Sequence, residues 1–349
     1  METTELFAAG EGDYHTYRIP SLLTTPAGTL LAFCEGRRKS QSDHGDIDLL
    51  VRRSEDNGRS WGDPQVIYDD VVWADVTNGN PCPVVDEATG TIELLFTRDN
   101  RDVMLTRSVD NGKNWSDPVE ITHQTKSPDW TWYATGPGVG IQLETEPFAG
   151  RLVIPCDHGG KTMAGIRPAV TYSHVIYSDD HGLSWRRSEP VAPHTNECQV
   201  VELADGDLLL NIRNPGNSDR DTPVDSGHRL IARSSDGGET WSEPMIDETL
   251  IEPACQASII RYPTTDRKSS WLLFANPADQ DERIRFTVRL SKDGGDTWTE
   301  RRVLHPGPCA YSSLAVLSDG RIGCLFEGGE DHRYDGIRFA VFEHEWLEQ

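Results

Sequence analysis

Ser54-Glu55-Asp56-Asn57-Gly58-Arg59-Ser60-Trp61 is the stretch whose reading decides the fold. It has the form Ser-x-Asp-x-Gly-x-(Ser/Thr/Asn)-Trp, and the same form returns at Ser108–Trp115, Ser178–Trp185, Ser234–Trp241 and Ser291–Trp298. Successive copies start 54, 70, 56 and 57 residues apart. A period of that size belongs to repeat architectures. Each copy follows a strand-like run, such as Leu49-Leu50-Val51-Arg52 or Thr287-Val288-Arg289-Leu290. The Asp carboxylate can accept bonds from amides of its own turn. The Gly supplies a positive φ, and the Trp can pack its ring between neighbouring sheets. Each copy therefore reads as the hairpin turn of a small antiparallel sheet, with a structural rather than a catalytic task.

Working outward, the mean spacing is close to a sixth of the 349 residues. Short alternating or apolar runs between Gly, Pro, Asp and Asn turns dominate, as in Gly90-Thr91-Ile92-Glu93-Leu94-Leu95-Phe96 and Asp207-Leu208-Leu209-Leu210-Asn211-Ile212. Long amphipathic helical patterns are absent, and no linker marks a second domain. The expected fold is all-β: one domain over residues 1–349, a six-bladed β-propeller of four-stranded antiparallel sheets. The residues before Trp61 and after Trp298 exceed what their own repeats need. The N- and C-terminal strands are therefore expected to share a blade and close the ring.

The formal net charge is −24, which argues against nucleic acid or an anionic membrane as partner. No apolar run approaches 18 residues, so no membrane span is expected. The start, Met1-Glu2-Thr3-Thr4-Glu5, lacks a basic and then apolar signal segment. The seven cysteines are scattered without a Cys-x-x-Cys spacing and read as reduced core residues of a cytoplasmic protein. No spacing suggests a metal site, and no cofactor is expected.

Three arginines stand out by context: Arg18 in Tyr17-Arg18-Ile19-Pro20, Arg213 in Asn211-Ile212-Arg213-Asn214, and Arg283 in Glu282-Arg283-Ile284-Arg285. Strand ends of separate blades converge near a propeller axis, and guanidiniums gathered there would grip a carboxylate through rigid two-donor forks. Tyr-Arg-Ile-Pro followed by these repeats resembles the signature of the sialidase family, whose Asp boxes have this form. Ser42-Asp43-His44-Gly45-Asp46-Ile47-Asp48, Asn80-Pro81-Cys82-Pro83-Val84, Trp132-Tyr133-Ala134-Thr135-Gly136-Pro137-Gly138, Asn196-Glu197-Cys198-Gln199-Val200 and Cys309-Ala310-Tyr311-Ser312-Ser313-Leu314 are similar to further family segments, in family order.

The resemblance implies a retaining exo-α-sialidase acting on sialylated glycoconjugates or free oligosaccharides through a tyrosyl-enzyme intermediate. It implies Arg18, Arg213 and Arg283 as the carboxylate triad, Asp43 as general acid/base, Tyr311 as nucleophile and Glu197 as its base. Glu327 would steady Arg18, and Glu35 would line the same pocket. The chemistry suits these residue types. A sialic acid carries its carboxylate on the anomeric carbon and would repel a carboxylate nucleophile, whereas a phenol starts neutral; such tyrosines are a known exception to the two-carboxylate rule.

Two positions leave alternatives open. Arg285 competes with Arg283 for the third place in the clamp. The polar segment Pro155-Cys156-Asp157-His158-Gly159-Gly160 falls where related enzymes place tyrosines near the N-acyl group. A hydrolase of a related ulosonic acid, such as deaminated sialic acid, is the alternative activity, and a non-catalytic carbohydrate-binding propeller is the alternative class. Oligomeric state is not legible.

Overall fold

Every repeat forms a hairpin turn with the same internal bonding. In the first, Ser54 Oγ donates to Asp56 Oδ1 at 2.8 Å and accepts from the Gly58 amide at 2.9 Å. Asp56 then accepts the Ser60 amide at 2.9 Å and the Ser60 hydroxyl at 2.6 Å. The Gly-to-Ser bond recurs at 2.9, 2.9, 3.0 and 2.9 Å in the other four copies. Gly58 sits at φ +81°, and a Cβ there would lie 2.1 Å from the Phe339 ring. Both the turn and the packing beneath it therefore require glycine. The Trp residues reach across sheets as expected: Trp61 meets Phe339 edge-on at 5.1 Å, and Trp115 meets Phe33 at 5.8 Å.

The hydroxyl and amide of Ser60 hold the Asp56 carboxyl at about 2, and the side chain and amide of Asn114 do the same for Asp110, also to about 2. A carboxyl whose folded pKa lies below the ordinary 3.8 contributes stability that is present above that value and lost as pH falls through the folded one. The Tm difference between wild type and the double variant Asp56→Asn/Asp110→Asn should therefore shrink between about pH 5 and about pH 2. A difference independent of pH would show that the box carboxylates act by shape alone.

The computed structural model describes residues 2–70, 75–160, 170–215, 227–264 and 270–348. It is all-β, and the described helices are two short ones, Thr122–Thr125 and the 3₁₀ turn His344–Trp346. Antiparallel sheets follow one another along the chain. The first runs Thr16–Thr24, Leu30–Arg37, Ile47–Ser54, Gln65–Tyr68, and the second Asn78–Asp86, Thr91–Arg98, Asp102–Ser108, Val119–Glu120. The third runs Trp130–Thr135, Leu152–Gly160, Thr171–Ser178, Arg186–Arg187, with Ile141–Gln142 as an extra short strand on Leu152–Gly160. The fourth runs Cys198–Glu202, Leu208–Ile212, His228–Ser234, Met245–Ile251.

The remaining strands depart from the expected set of separate four-stranded sheets. They form one seven-stranded sheet in the order Glu2–Ala8, Gly336–Phe342, Ile322–Gly328, Glu300–Val316, Ile284–Ser291, Trp271–Pro277, Ser258–Tyr262. The cause is the 17-residue strand Glu300–Val316. Residues 300–308 of it pair with Ile284–Ser291, and residues 309–316 pair with Ile322–Gly328. The N-terminal strand Glu2–Ala8 does pair with the C-terminal strand Gly336–Phe342 in one sheet, as the sequence led us to expect.

Antiparallel pairing fixes where the site lies. The box turns join the third and fourth strands of each repeat, beyond Ser54, Ser108, Ser178, Ser234 and Ser291. The starts of the first strands lie at the other end, together with the ends of the second strands: Arg18 opposes Glu35, Cys198 opposes Ile212 and Cys309 opposes Gly328. All the candidate chemistry therefore gathers on the edge opposite the boxes. The seven cysteines are buried and unbridged. Among the described residues no helix is long and apolar enough to cross a membrane.

Candidate active site

Tyr311 forms the floor of a cleft also lined by Ile19, Glu35, Arg37, Asp43 and Glu197. Its hydroxyl donates to Glu197 Oε1. Arg213 Nη1 donates to both members of that pair, to Glu197 Oε2 at 2.7 Å and to Tyr311 Oη at 3.1 Å. Two more guanidiniums flank the ring, Arg18 at 5.1 Å and Arg283 at 5.7 Å from its centroid. Burial first, and the Glu197 carboxylate next, push the Tyr311 hydroxyl well above its ordinary 10, while Arg213 and Arg283 pull it down. The resting residue is a neutral phenol with an acceptor already in place for its proton.

Glu327 organises this floor from beneath. It is fully buried, and its two oxygens take Arg18 Nε at 2.9 Å and Arg18 Nη2 at 3.3 Å in a fork. The same carboxylate accepts the amide of Ile19 at 2.8 Å and that of Tyr311 at 3.1 Å. One side chain thus fixes the first arginine and the candidate nucleophile against each other. Ile19 holds φ at +57°, a region unfavourable for a β-branched residue, and the Glu327 bond to its amide is part of what retains it.

Asp43 stands at the mouth, on the loop between Leu30–Arg37 and Ile47–Ser54, with 72 % of its side chain exposed. Its Oδ1 accepts Arg37 Nη1 at 2.7 Å and Arg18 Nη1 at 3.2 Å. Enclosure by the cleft walls raises its pKa, but Arg37 and then Arg18 outweigh this and hold the carboxyl below the ordinary 3.8. Arg37 in turn is gripped by Glu35 Oε2 through Nε at 3.0 Å and Nη2 at 2.7 Å. The other Glu35 oxygen accepts the Asn80 amide at 2.8 Å, which ties the first sheet to the second. Among the described residues no group of three or more His, Cys, Asp or Glu converges as a metal site would.

Residues 28–324 match the family model of the BNR repeat-like domain. A sialidase of Micromonospora viridifaciens is 36 % identical over 98 % of this chain, and the chain spans 54 % of that protein's length. Mouse Sialidase-2 is 30 % identical over 98 % of the chain and 95 % of its own length. The chain belongs to the sialidase family. Among solved structures, a Hadza microbial sialidase superposes with a TM-score of 0.85 at 30 % identity, over 99 % of this chain and 69 % of that one.

The eight residues singled out in the sequence, Arg18, Glu35, Asp43, Glu197, Arg213, Arg283, Tyr311 and Glu327, converge on this one region. Arg283 lies by Tyr311, whereas Arg285 turns away at φ +56° and bonds Asp279 at 2.7 Å. None of the polar segment Pro155–Gly160 lines the cleft around Tyr311. Asp157 and His158 are buried in their strand, with Asp157 accepting from Asn196 at 2.7 Å and His158 stacked on Trp130 at 3.4 Å. Asn80, Asn100, Trp132 and Ala134 complete the lining of the cleft. Two residues were missed by sequence reasoning. Arg37 holds Asp43, and Tyr334 lies 3.9 Å over the Arg18 guanidinium while accepting from Arg283 at 3.4 Å.

Proposed function

We propose that this protein is a retaining exo-α-sialidase with a tyrosine nucleophile, built as a closed six-bladed propeller. The observation that carries the activity is the Tyr311–Glu197 hydrogen bond set among Arg18, Arg213 and Arg283. A phenol paired with a base inside a cationic floor suits attack on an anomeric carbon that bears a carboxylate. The ring reading is supported by bonds between sheets distant in sequence. Ser21 Oγ donates to the Gly138 carbonyl at 2.8 Å, Ser313 Oγ accepts the Leu22 amide at 3.0 Å, and Gln256 Nε2 bridges the carbonyls of Pro137 and Ser312 at 3.2 and 2.9 Å.

The steps follow from these groups. The substrate carboxylate engages the three guanidiniums and competes with Asp43 for Arg18. Asp43 loses part of the charge that holds it ionised, so its pKa rises and it can take up a proton. Tyr311 then attacks the anomeric carbon as Glu197 takes its proton, and Asp43 protonates the departing alcohol. Water, deprotonated by Asp43, next displaces the tyrosine, which recovers its proton from Glu197. Two displacements at one carbon retain configuration. The test is turnover of an aryl α-sialoside panel, with the deaminated sugar beside the N-acylated one and the first-formed anomer read by NMR. An α product is expected; a β product would refute retention, and binding without turnover would favour a carbohydrate-binding propeller.

The clamp has its own test. Arg283→Lys should lower kcat/KM at least about tenfold, because an ammonium cannot reproduce a two-donor fork. Arg285→Lys should stay within about twofold of wild type. The reverse ranking would exchange their roles.

A further inference from the structure

A second cationic pocket shares no lining residue with the cleft around Tyr311. It lies where Ile284–Ser291 pairs with Glu300–Val316, beside Ile251 of the fourth sheet, and Arg285, Arg289, Arg301 and Arg302 line it with Thr287. Three arginines, Arg285, Arg289 and Arg301, present their side chains on this face in a chain of net charge −24. Nothing in the proposed sialidase chemistry uses them.

Their pairing is not what a merely structural set would show. Arg289 and Arg301 stand directly opposite each other across the two strands. Like charges in that relation destabilise a sheet. Among the described residues neither arginine has an ion pair, whereas Arg285 is paired with Asp279. Asp247 attracts Arg289 without contacting it; its oxygens accept the amides of Thr249 and Leu250 at 2.9 and 3.2 Å and Trp298 Nε1 at 3.3 Å. Arg289 is 2 % exposed; Nη1 reaches the Asn276 side-chain oxygen at 3.0 Å, and Nε has no partner. Burial first, and Arg301 next, bring the Arg289 guanidinium down to about 10. A buried cation facing a second cation, with a donor unused, is costly until an anion arrives.

The backbone points the same way. Register shifts on either side of Phe286 and the left-handed φ of Arg285 form an irregularity that turns this side chain out of the active cleft and onto the second pocket. Bulges commonly re-aim a side chain in this manner. Arg302 opposes Val288, on the other face of its strand from Arg301, and its guanidinium is engaged there by the Trp346 carbonyl at 2.8 Å and the Trp346 ring at 4.8 Å, so it takes no part in the pocket's charge.

We propose that this pocket is a non-catalytic binding site for a small oxyanion group, a phosphate, sulfate or carboxylate, with Arg289 as its floor and exposed Arg301 as its closing arm. Forked guanidinium donors suit such groups. The source is either a free inorganic ion or an acidic substituent on a glycan.

Calorimetric titration with inorganic phosphate, and separately with a hexosamine 6-sulfate, tests the proposal on the full chain. Arg301→Ser should weaken the affected binding at least about tenfold, and Arg289→Met should abolish it. Turnover by both variants should stay within about twofold of wild type. Arg301 is exposed, so Arg301→Ser should fold even if Arg289→Met does not. In anion-free buffer it should melt no lower than wild type, since it removes a like-charge pair, and phosphate should raise its Tm less. Tighter binding of the sulfated sugar than of phosphate would identify the glycan source, and equal binding the free ion. Isotherms identical in wild type and Arg301→Ser would overturn the proposal.

Discussion

Tyr311→Phe is expected to lower kcat at least about 100-fold on natural sialosides and on activated aryl sialosides alike. The substitution deletes one oxygen from a buried ring and leaves the packing beside Arg18 and Arg283 in place. It also strips Glu197 of its hydroxyl partner, while Arg213 Nη1 remains 2.7 Å from that carboxylate and stays paired. The site should therefore survive and still bind the sugar carboxylate, so KM should change far less than kcat. A good leaving group cannot rescue the variant, because what is missing is the attacking atom and not the proton for departure. Near wild-type rates on both substrates would remove Tyr311 from the mechanism and return the carbohydrate-binding reading. Glu197→Gln provides the matching control. It keeps the size of the acceptor but cannot take the proton, so it should slow both substrates too.

What the sequence could and could not reveal follows from how each group is placed. The boxes were legible because their bonds are local: Ser54, Asp56, Gly58 and Ser60 satisfy one another within a few residues. Arg18, Tyr311 and Glu197 were legible because each sits in a distinctive segment. Arg37 was not, although a signal existed. It lies two residues after Glu35 on one strand, so both side chains leave the same face, and Glu35 takes it in a fork. Tyr334 had no such signal. Its place over Arg18 depends on the loop after Ile322–Gly328 meeting a strand more than three hundred residues earlier, and only the fold brings the two together. The sequence reads as separate sheets where Glu300–Val316 runs unbroken from one to the next; the pairing partner changes after Pro308, where Pro306-Gly307-Pro308 reads as a turn but stays within the strand. The choice between Arg283 and Arg285 was likewise beyond the sequence, since two residues on a regular strand share a face. The irregular backbone at Arg285 breaks that rule.

Asp43→Ala should divide substrates by their leaving group. On a natural glycosidic link, whose alcohol departs poorly unless protonated, kcat/KM is expected to fall by about 10²- to 10⁴-fold. On an aryl sialoside with a strongly acidic phenol the first displacement needs little proton help, so the loss should be much smaller and confined to the step that hydrolyses the intermediate. The structure adds a condition to this ordinary reasoning. In the free protein Asp43 is held ionised by Arg37 and Arg18, the wrong state for an acid. On the proposed mechanism binding raises its pKa before it acts, the substrate carboxylate claiming Arg18. The proton taken up in that step should appear as a pH-dependent affinity for a non-hydrolysable sialic acid analogue, tighter as pH falls towards the carboxyl range, and absent in Asp43→Ala. Equal losses on natural and activated substrates would show that Asp43 positions the loop between Leu30–Arg37 and Ile47–Ser54 instead of delivering a proton. Binding with the same pH dependence in wild type and variant would place the proton uptake on another group.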